Sequence, residues 1–137
     1  MRVGKTTIYG LFAVLYVASR ADDKPVQSRK IAEAYEIPLE YLLKILQALA
    51  RGGVLRSARG RSGGFLLGRP ASEITVAEIV GILEPVPELA QLLEESIPGH
   101  SKVKTILRNI HAETCSTIQQ SLQRITMQEL VHIDKKS

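Results

Sequence analysis

Apolar side chains recur along the first fifty residues with the spacing of α-helices. The i, i+3, i+4, i+7 pattern predicts one helix over about residues 6–20 and another over about residues 39–50. Between them, Ser28 is the predicted N-cap of a short helix, since a serine hydroxyl can accept a hydrogen bond from a free backbone N–H. Pro38 separates the second helix from the third, because the residue before a proline avoids helical geometry.

The pattern changes after Gly52 and Gly53. Residues 54–57 and 65–67 have the composition of short strands, and the glycine-bearing loop between them predicts a β-hairpin. Three helices followed by a hairpin is the order of a winged helix-turn-helix, in which the third helix enters the major groove of DNA and the hairpin is the wing. We therefore predict a mostly α fold, of the α+β type, with a two-stranded wing.

The second half of the chain carries two T-x-x-E capping boxes, at residues 75–78 and 126–129. A long helix is predicted over about residues 102–124, and the last six residues are expected to be frayed. A short amphipathic helix is predicted within residues 88–96, where it would either close a small-molecule pocket or only cover the core. The predicted organisation is a DNA-binding domain over residues 1–84, a connecting and candidate effector segment over residues 85–101, and a long helix followed by a short final helix over residues 102–137.

The net charge is unevenly distributed along the 137 residues. Residues 1–70 hold twelve basic and five acidic side chains, a net charge of +7, whereas residues 71–137 hold six and nine, a net charge of −3. This asymmetry indicates that the first half meets a polyanion, with an uneven solvated surface as the alternative.

Enzyme chemistry is not indicated by any motif in the sequence. All three histidines follow residue 99, and no nucleophile elbow, phosphate-binding glycine loop or H-E-x-x-H sequence occurs. A single cysteine, Cys115, excludes an intramolecular disulfide framework. No apolar run approaches the ~18 residues that a membrane span requires, so a cytoplasmic protein is expected.

The wing loop concentrates positive charge where packing cannot use it. Arg59 and Arg61 flank Gly60 in the tightest part of the loop, so we predict that both arginines contact DNA phosphates or enter the minor groove. A solvated face explains three other arginines equally well: Arg51, Arg56 and Arg69.

The N-terminal half of the third helix holds the candidate base-reading residues Glu40, Tyr41 and Lys44. Lys44 can contact guanine or phosphate, Tyr41 can donate to phosphate, and Glu40 can accept from cytosine. The alternative is that Tyr41 packs against the protein while Glu40 and Lys44 form an i, i+4 pair. Ser28, at the start of the second helix, is a further DNA-binding candidate.

Five sequence blocks carry a resemblance to one protein family: IA at 31–32, YLLKILQAL at 41–49, GVLRSARGRSGGFLL at 53–67, ITVAEIV at 74–80 and ITMQELV at 125–131. They resemble the Rrf family of winged-helix transcription regulators, of the IscR, NsrR and CymR type. The resemblance implies a homodimer on palindromic promoter DNA, acting as a repressor more commonly than as an activator. It also implies phosphate contacts by Arg2 and Lys5 and dimerisation through the long helix, with the candidates Val103, Ile106, Ile110, Ile118 and Leu122.

The chain departs from the iron–sulfur members of that family, which carry three cysteines before the long helix. It has no cysteine between Pro85 and Thr114, and Thr105 and Arg108 stand near the usual ligand positions. Neither of those side chains can bind a cluster, so no cluster, metal or other cofactor is expected. In the third helix, Leu43 stands where one subgroup has a base-reading glutamate.

Two other functions stay open beside a DNA-binding regulator. The basic wing could dock an acidic protein or RNA, which would make the chain an interaction module. Alternatively, Cys115 and His111, which share a helix face at i, i+4, could sense redox state or a metal, although a lone cysteine is more often a small buried hydrophobic residue. A small-molecule effector is a further expected partner.

Overall fold

The computed structural model describes residues 4–20, 22–60, 63–84 and 89–136, with the backbone alone at 89 and 90. These residues form seven α-helices, one hairpin and a 3-10 turn. In chain order they are α1 Lys5–Ala18, α2 Ser28–Tyr35, α3 Leu39–Arg51, β1 Leu55–Ala58, β2 Gly64–Leu67, the 3-10 turn Ala71–Glu73, α4 Val76–Leu83, α5 Leu89–Ser96, α6 Lys102–Gln123 and α7 Met127–Lys136.

The predicted winged helix-turn-helix is confirmed, with helix and strand ends that differ by one or two residues. The predicted N-cap of the second helix is wrong, because Gln27 occupies that position and no side chain caps it. Ser28 is instead the first helical residue. The helix ends at Tyr35, and the next residue, Glu36, has a left-handed φ of 53° that turns the chain toward α3.

The apolar face of α3 forms the centre of the core. Leu42, Leu46 and Leu49 have no exposed surface, and their i, i+4, i+7 spacing places them on one side of the helix. Against this side pack α1, α2, α4 and β1. Because α3 is buried on one face only, its other face is left for a partner.

The wing is a two-stranded antiparallel hairpin in which Leu55 pairs with Leu67 and Ala58 pairs with Gly64. Val26, in the segment before α2, adds a third short rung on the other edge of β2. Its N–H donates to the Phe65 carbonyl at 2.9 Å, and its carbonyl accepts from the Phe65 N–H at 2.8 Å. A Cβ atom at Gly64 would collide with the Val26 carbonyl, so this rung requires glycine there.

The chain returns to the DNA-binding domain after the long helix. Thr75 and Thr126 form an isolated antiparallel bridge, flanked by hydrogen bonds from the Val76 N–H to Ile125 at 2.9 Å and from the Met127 N–H to Ile74 at 2.8 Å. Both threonines also cap their helices, as the T-x-x-E boxes predict, each at 3.2 Å from the N–H of the glutamate three residues later.

The final helix packs into the core of the first domain, where Met127 is fully buried and Val131 nearly so. It contacts α1 and the 3-10 turn. The expectation of a frayed tail is wrong for residues 132–136, which are helical. The division into residues 1–84, 85–101 and 102–137 stays a prediction, and the structure adds that α7 completes the core of the first of these units.

Replacing Met127 by alanine is expected to lower the free energy of unfolding by about 2–5 kcal/mol, because the cavity lies in a well-packed core. The matched control is Ile133→Ala in the same helix, where the side chain is 62% exposed and the expected loss is below about 0.5 kcal/mol. Urea unfolding at one protein concentration measures both. Equal losses would mean that α7 is not part of the core.

Candidate nucleic-acid interface

One groove connects the three elements that a winged helix presents to DNA. It has a volume of about 590 Å³ and is lined by Gln27, Ser28 and Arg29 at the start of α2, by Leu39 at the start of α3, and by wing residues on both sides of the tip. We call it the wing groove. Arg29 was not predicted from the sequence, although its position next to Ser28 at a helix start is a usable signal.

The outer face of α3 is polar and exposed at Glu40 and Lys44. Among the residues that the structure describes, neither side chain forms an ion pair, so the alternative of an i, i+4 pair has no support in the geometry. Gln47 lies one turn further along and is also exposed. Its spacing of i+3 from Lys44 places it on the same face, which periodicity could have shown.

Tyr41 is held by the protein rather than free. Its hydroxyl hydrogen-bonds to the Thr6 hydroxyl, and its ring packs edge to face against Tyr9 at a centroid distance of 5.9 Å. It ties α1 to α3, as the packing alternative expects, and its contact with DNA stays a prediction. Lys5 is the exposed first residue of α1, whereas Arg2 lies outside the described residues.

The wing tip exposes Arg59 beside Gly60, whose φ of 120° is one that a residue with a side chain rarely adopts. No ion pair of the described chain engages Arg59. Arg61 falls outside the described part of the wing. The exposed guanidinium therefore remains available to an external anion.

Arg69, at the base of the wing, has a structural role. Its guanidinium donates to both oxygens of Glu78 and, at 3.1 Å, to the Glu73 carbonyl. The hydrogen bond to Glu78 raises the pKa of Arg69 above its ordinary value. This arginine joins the end of the wing to α4, so it is a poor candidate for contact with DNA.

One face of the long helix α6 is exposed, and another face packs against the rest of the chain. Val103, Ile106 and Ile110 are 62%, 55% and 55% exposed, and Leu107 beside them is 42% exposed. Ile118 is half-buried, and Leu122 packs against the core of its own chain. The five residues predicted for dimerisation thus do not share one surface, and only the first three form an exposed apolar stripe.

Cys115 and His111 lie on the inner side of α6, both half-buried. The Sγ atom is 3.4 Å from Nε2 of the histidine. The structure therefore brings this predicted pair into contact.

The segment before α6 is held by charged groups. Lys104 is 3% exposed, and its ammonium donates to the Gly99 carbonyl at 2.7 Å and lies 3.6 Å from the Glu94 carboxylate. Arg108 approaches the same carboxylate at 3.5 Å. Both ion pairs between α5 and α6 in the described residues use Glu94. No described α5 side chain is buried, so Glu94 is the main polar link between the two helices.

The donor set of this segment does not suit iron. The described residues contain no group of three or more His, Cys, Asp or Glu side chains placed to bind a metal. Around the start of α6, Lys104 and Arg108 carry positive charge, which repels a cation.

Within the described residues, no helix has both the length and the apolar character that crossing a membrane requires.

Comparisons with known proteins agree with this geometry. The Rrf2 family, described as iron-dependent transcriptional regulators, matches residues 3–133. The chain belongs to the Rrf2 family. Its members are transcription regulators rather than enzymes, and the fold described above carries their DNA-binding surface.

Solved structures of Rrf2 regulators share the fold. CymR of B. subtilis is similar over 97% of this chain and 98% of its own, with 20% identity and a TM-score of 0.76. IscR of T. potens is similar over 98% of this chain and 88% of its own, with 24% identity and a TM-score of 0.74. The oxidized form of Staphylococcus aureus CymR has 24% identity and a TM-score of 0.71, over 96% of each chain.

Replacing Glu94 by glutamine is expected to loosen α5, because Lys104 and Arg108 no longer share a carboxylate. Amide hydrogen exchange in residues 91–97 should become several-fold faster, while the free energy of unfolding falls by less than about 1 kcal/mol at this exposed site. The control is Glu95→Gln, whose carboxylate bonds only to Gln91 within α5. Faster exchange in the control alone, or in neither variant, would contradict the proposed link.

Proposed function

We propose that this Rrf2 regulator acts as a homodimeric repressor on palindromic promoter sites. The observation that carries the proposal is the wing groove, which joins the start of α2, the start of α3 and both sides of the wing tip. Lys44 on α3 and Arg59 at the wing tip are exposed on two of these elements. A helix in the major groove and a basic wing on the adjacent backbone are the two contacts that a winged helix makes with DNA.

The roles within this surface follow from chemistry and position. Lys44 contacts guanine or phosphate, Glu40 accepts from cytosine N4, and Arg59 enters the minor groove or contacts its phosphates. Ser28 at the start of α2 donates to a phosphate, as does Lys5 at the start of α1. Arg2 and Arg61 are proposed to contact DNA phosphates as well.

Dimerisation explains the exposed stripe on α6. Val103, Ile106, Leu107 and Ile110 expose about half of each side chain, and a second copy of the same stripe would cover them. A two-fold axis through this stripe would repeat the DNA-binding surface, and two copies about 34 Å apart would meet successive major grooves of a palindrome. One α3 alone reads too few bases for a specific site.

Regulation is proposed to proceed without an iron–sulfur cluster, since no cysteine precedes α6 and the side chains near the ligand positions, Thr105 and Arg108, cannot bind one. A small-molecule effector is a proposed partner, acting on the spacing or angle between the two DNA-binding domains. The contact between Cys115 and His111 favours one second candidate, a redox-sensing regulator. In that case Cys115→Ser should abolish any peroxide response of DNA binding, and an unchanged response would exclude it.

The Arg59→Ala variant is expected to weaken binding to a duplex selected from a random library by about 1–3 kcal/mol, while its free energy of unfolding stays unchanged. Arg69→Ala is the matched control. It breaks the bonds to Glu78 and should lower stability by less than about 1 kcal/mol, because the pair is partly exposed, while leaving affinity intact. Fluorescence anisotropy at fixed salt measures affinity. If no duplex is selected over random DNA, the chain is a protein- or RNA-interaction module instead.

A charge in the exposed stripe is expected to separate the subunits. Ile106→Glu places a carboxylate where two copies would meet, and sedimentation should then show a monomer that is folded by circular dichroism. The control is Ala112→Glu, on an exposed position about 160° around the helix from Ile110. A dimeric Ile106→Glu variant would place the interface elsewhere.

A further inference from the structure

A second groove adjoins the wing groove at the corner between α1 and α2. It has a volume of about 460 Å³ and is lined by four charged residues, Arg20, Asp22, Lys24 and Lys30, together with Pro25, Val26 and Gln27. We call it the corner groove. Its four charged side chains are all exposed and carry a net charge of +2.

The corner groove is continuous with the wing groove, because Gln27 lines both. It is also fixed to the wing through the two hydrogen bonds between Val26 and Phe65. A duplex that touches the wing tip and the start of α2 therefore passes close to this corner.

The cations of the corner groove are not neutralised by the protein. Lys24 and Lys30 form no ion pair within the described chain, and neither does Asp22. Arg20 lies over the Tyr16 ring, 4.5 Å from its centroid, and donates to the Tyr16 hydroxyl. That contact orients the guanidinium and leaves most of its N–H donors free.

One carboxylate, Asp22, stands against three cations, so the groove keeps a net charge of +2, which does not stabilise the fold and attracts an external anion. Backbone phosphates of B-DNA supply one negative charge per ~1.7 Å of helix axis and continue beyond any base that the protein reads. We propose that the corner groove binds the backbone phosphates that flank the wing, through Lys24, Lys30 and Arg20. It extends the contact with DNA without reading sequence, and it rests on the proposed DNA-binding function.

The test uses the full chain and a duplex selected by it from a random library. The variant is Lys24→Gln/Lys30→Gln, and the control with the same change of charge is Lys135→Gln/Lys136→Gln, in the last turn of α7, which lines neither groove. Two duplexes share the selected core. The short duplex ends where the Lys24→Gln/Lys30→Gln variant ceases to protect DNA from hydroxyl radicals. The long duplex continues beyond those points for about ten base pairs, one helical turn, on each side.

On the long duplex, the slope of log affinity against log salt should become less steep by about 0.9 for each phosphate that the variant no longer neutralises, or one to two units for the two lysines. Between about 50 and 200 mM salt, each such phosphate changes affinity about three- to four-fold. The wild type on the short duplex should show the same reduced slope as the variant on the long one. The variant should bind the short duplex as tightly as the wild type does, and the α7 control should match the wild type on both.

Three results would overturn the inference. The variant could keep the wild-type slope, its affinity could fall equally on both duplexes, or the α7 control could weaken by as much. In each of these cases a selected duplex and an effect of Arg59→Ala would still support the proposed function. Failure to select any duplex would overturn both.

Discussion

The pair of hydrogen bonds between Val26 and Phe65 sets the position of the wing relative to the start of α2. It joins the strand β2 of the wing to the segment that leads directly into α2, and α2 in turn positions α3. Glycine at position 64 is what permits the close approach. Without this rung, the wing would be held to the domain only by the packing of Leu55 and Phe65 in the core and by the contacts of its strands with α3 and α1.

A second constraint acts from the far end of the chain. The bridge between Thr75 and Thr126 returns α7 to the core, so the C-terminal end of the long helix α6 is attached to the DNA-binding domain. Near its start, Lys104 and Arg108 share Glu94 of α5. Because α6 is fixed to the core at its end and to α5 at its start, a shift of α6 against a second copy would move its own domain, which is how a change at the proposed dimer interface would reach the wings.

Much of the fold could be predicted because its signals are local. Helical periodicity, the glycines of the wing and the two T-x-x-E boxes each depend on a few neighbouring residues, and each prediction of an element was confirmed. Ser28 shows the limit of such signals, since a good N-cap residue lies one position inside the helix. The burial of Met127 depends on a contact between distant parts of the chain, which periodicity does not contain.

The candidate site was predictable in part for the same reason. Charge at the wing tip singled out Arg59, whose contact with DNA stays a prediction. Arg69 in the same stretch pairs with Glu78, nine residues later, and composition cannot separate the two arginines. The dimerisation set was likewise divided by the structure, because Leu122 faces its own core while Ile106 faces outward. The corner groove combines six residues of the segment between α1 and α2 with Lys30 of α2, and all of them lie within eleven positions of the sequence.

Directed cleavage of DNA from the wing tests the central claim that wing and α3 form one DNA-binding surface. An iron chelate would be attached to Ser57→Cys in a Cys115→Ser background, with Gln128→Cys on α7 as the control attachment point. From position 57, strand breaks should occur in two clusters within the selected duplex, related by a two-fold axis and offset across the minor groove. Absence of cleavage from position 57, or the same pattern from position 128, would contradict it.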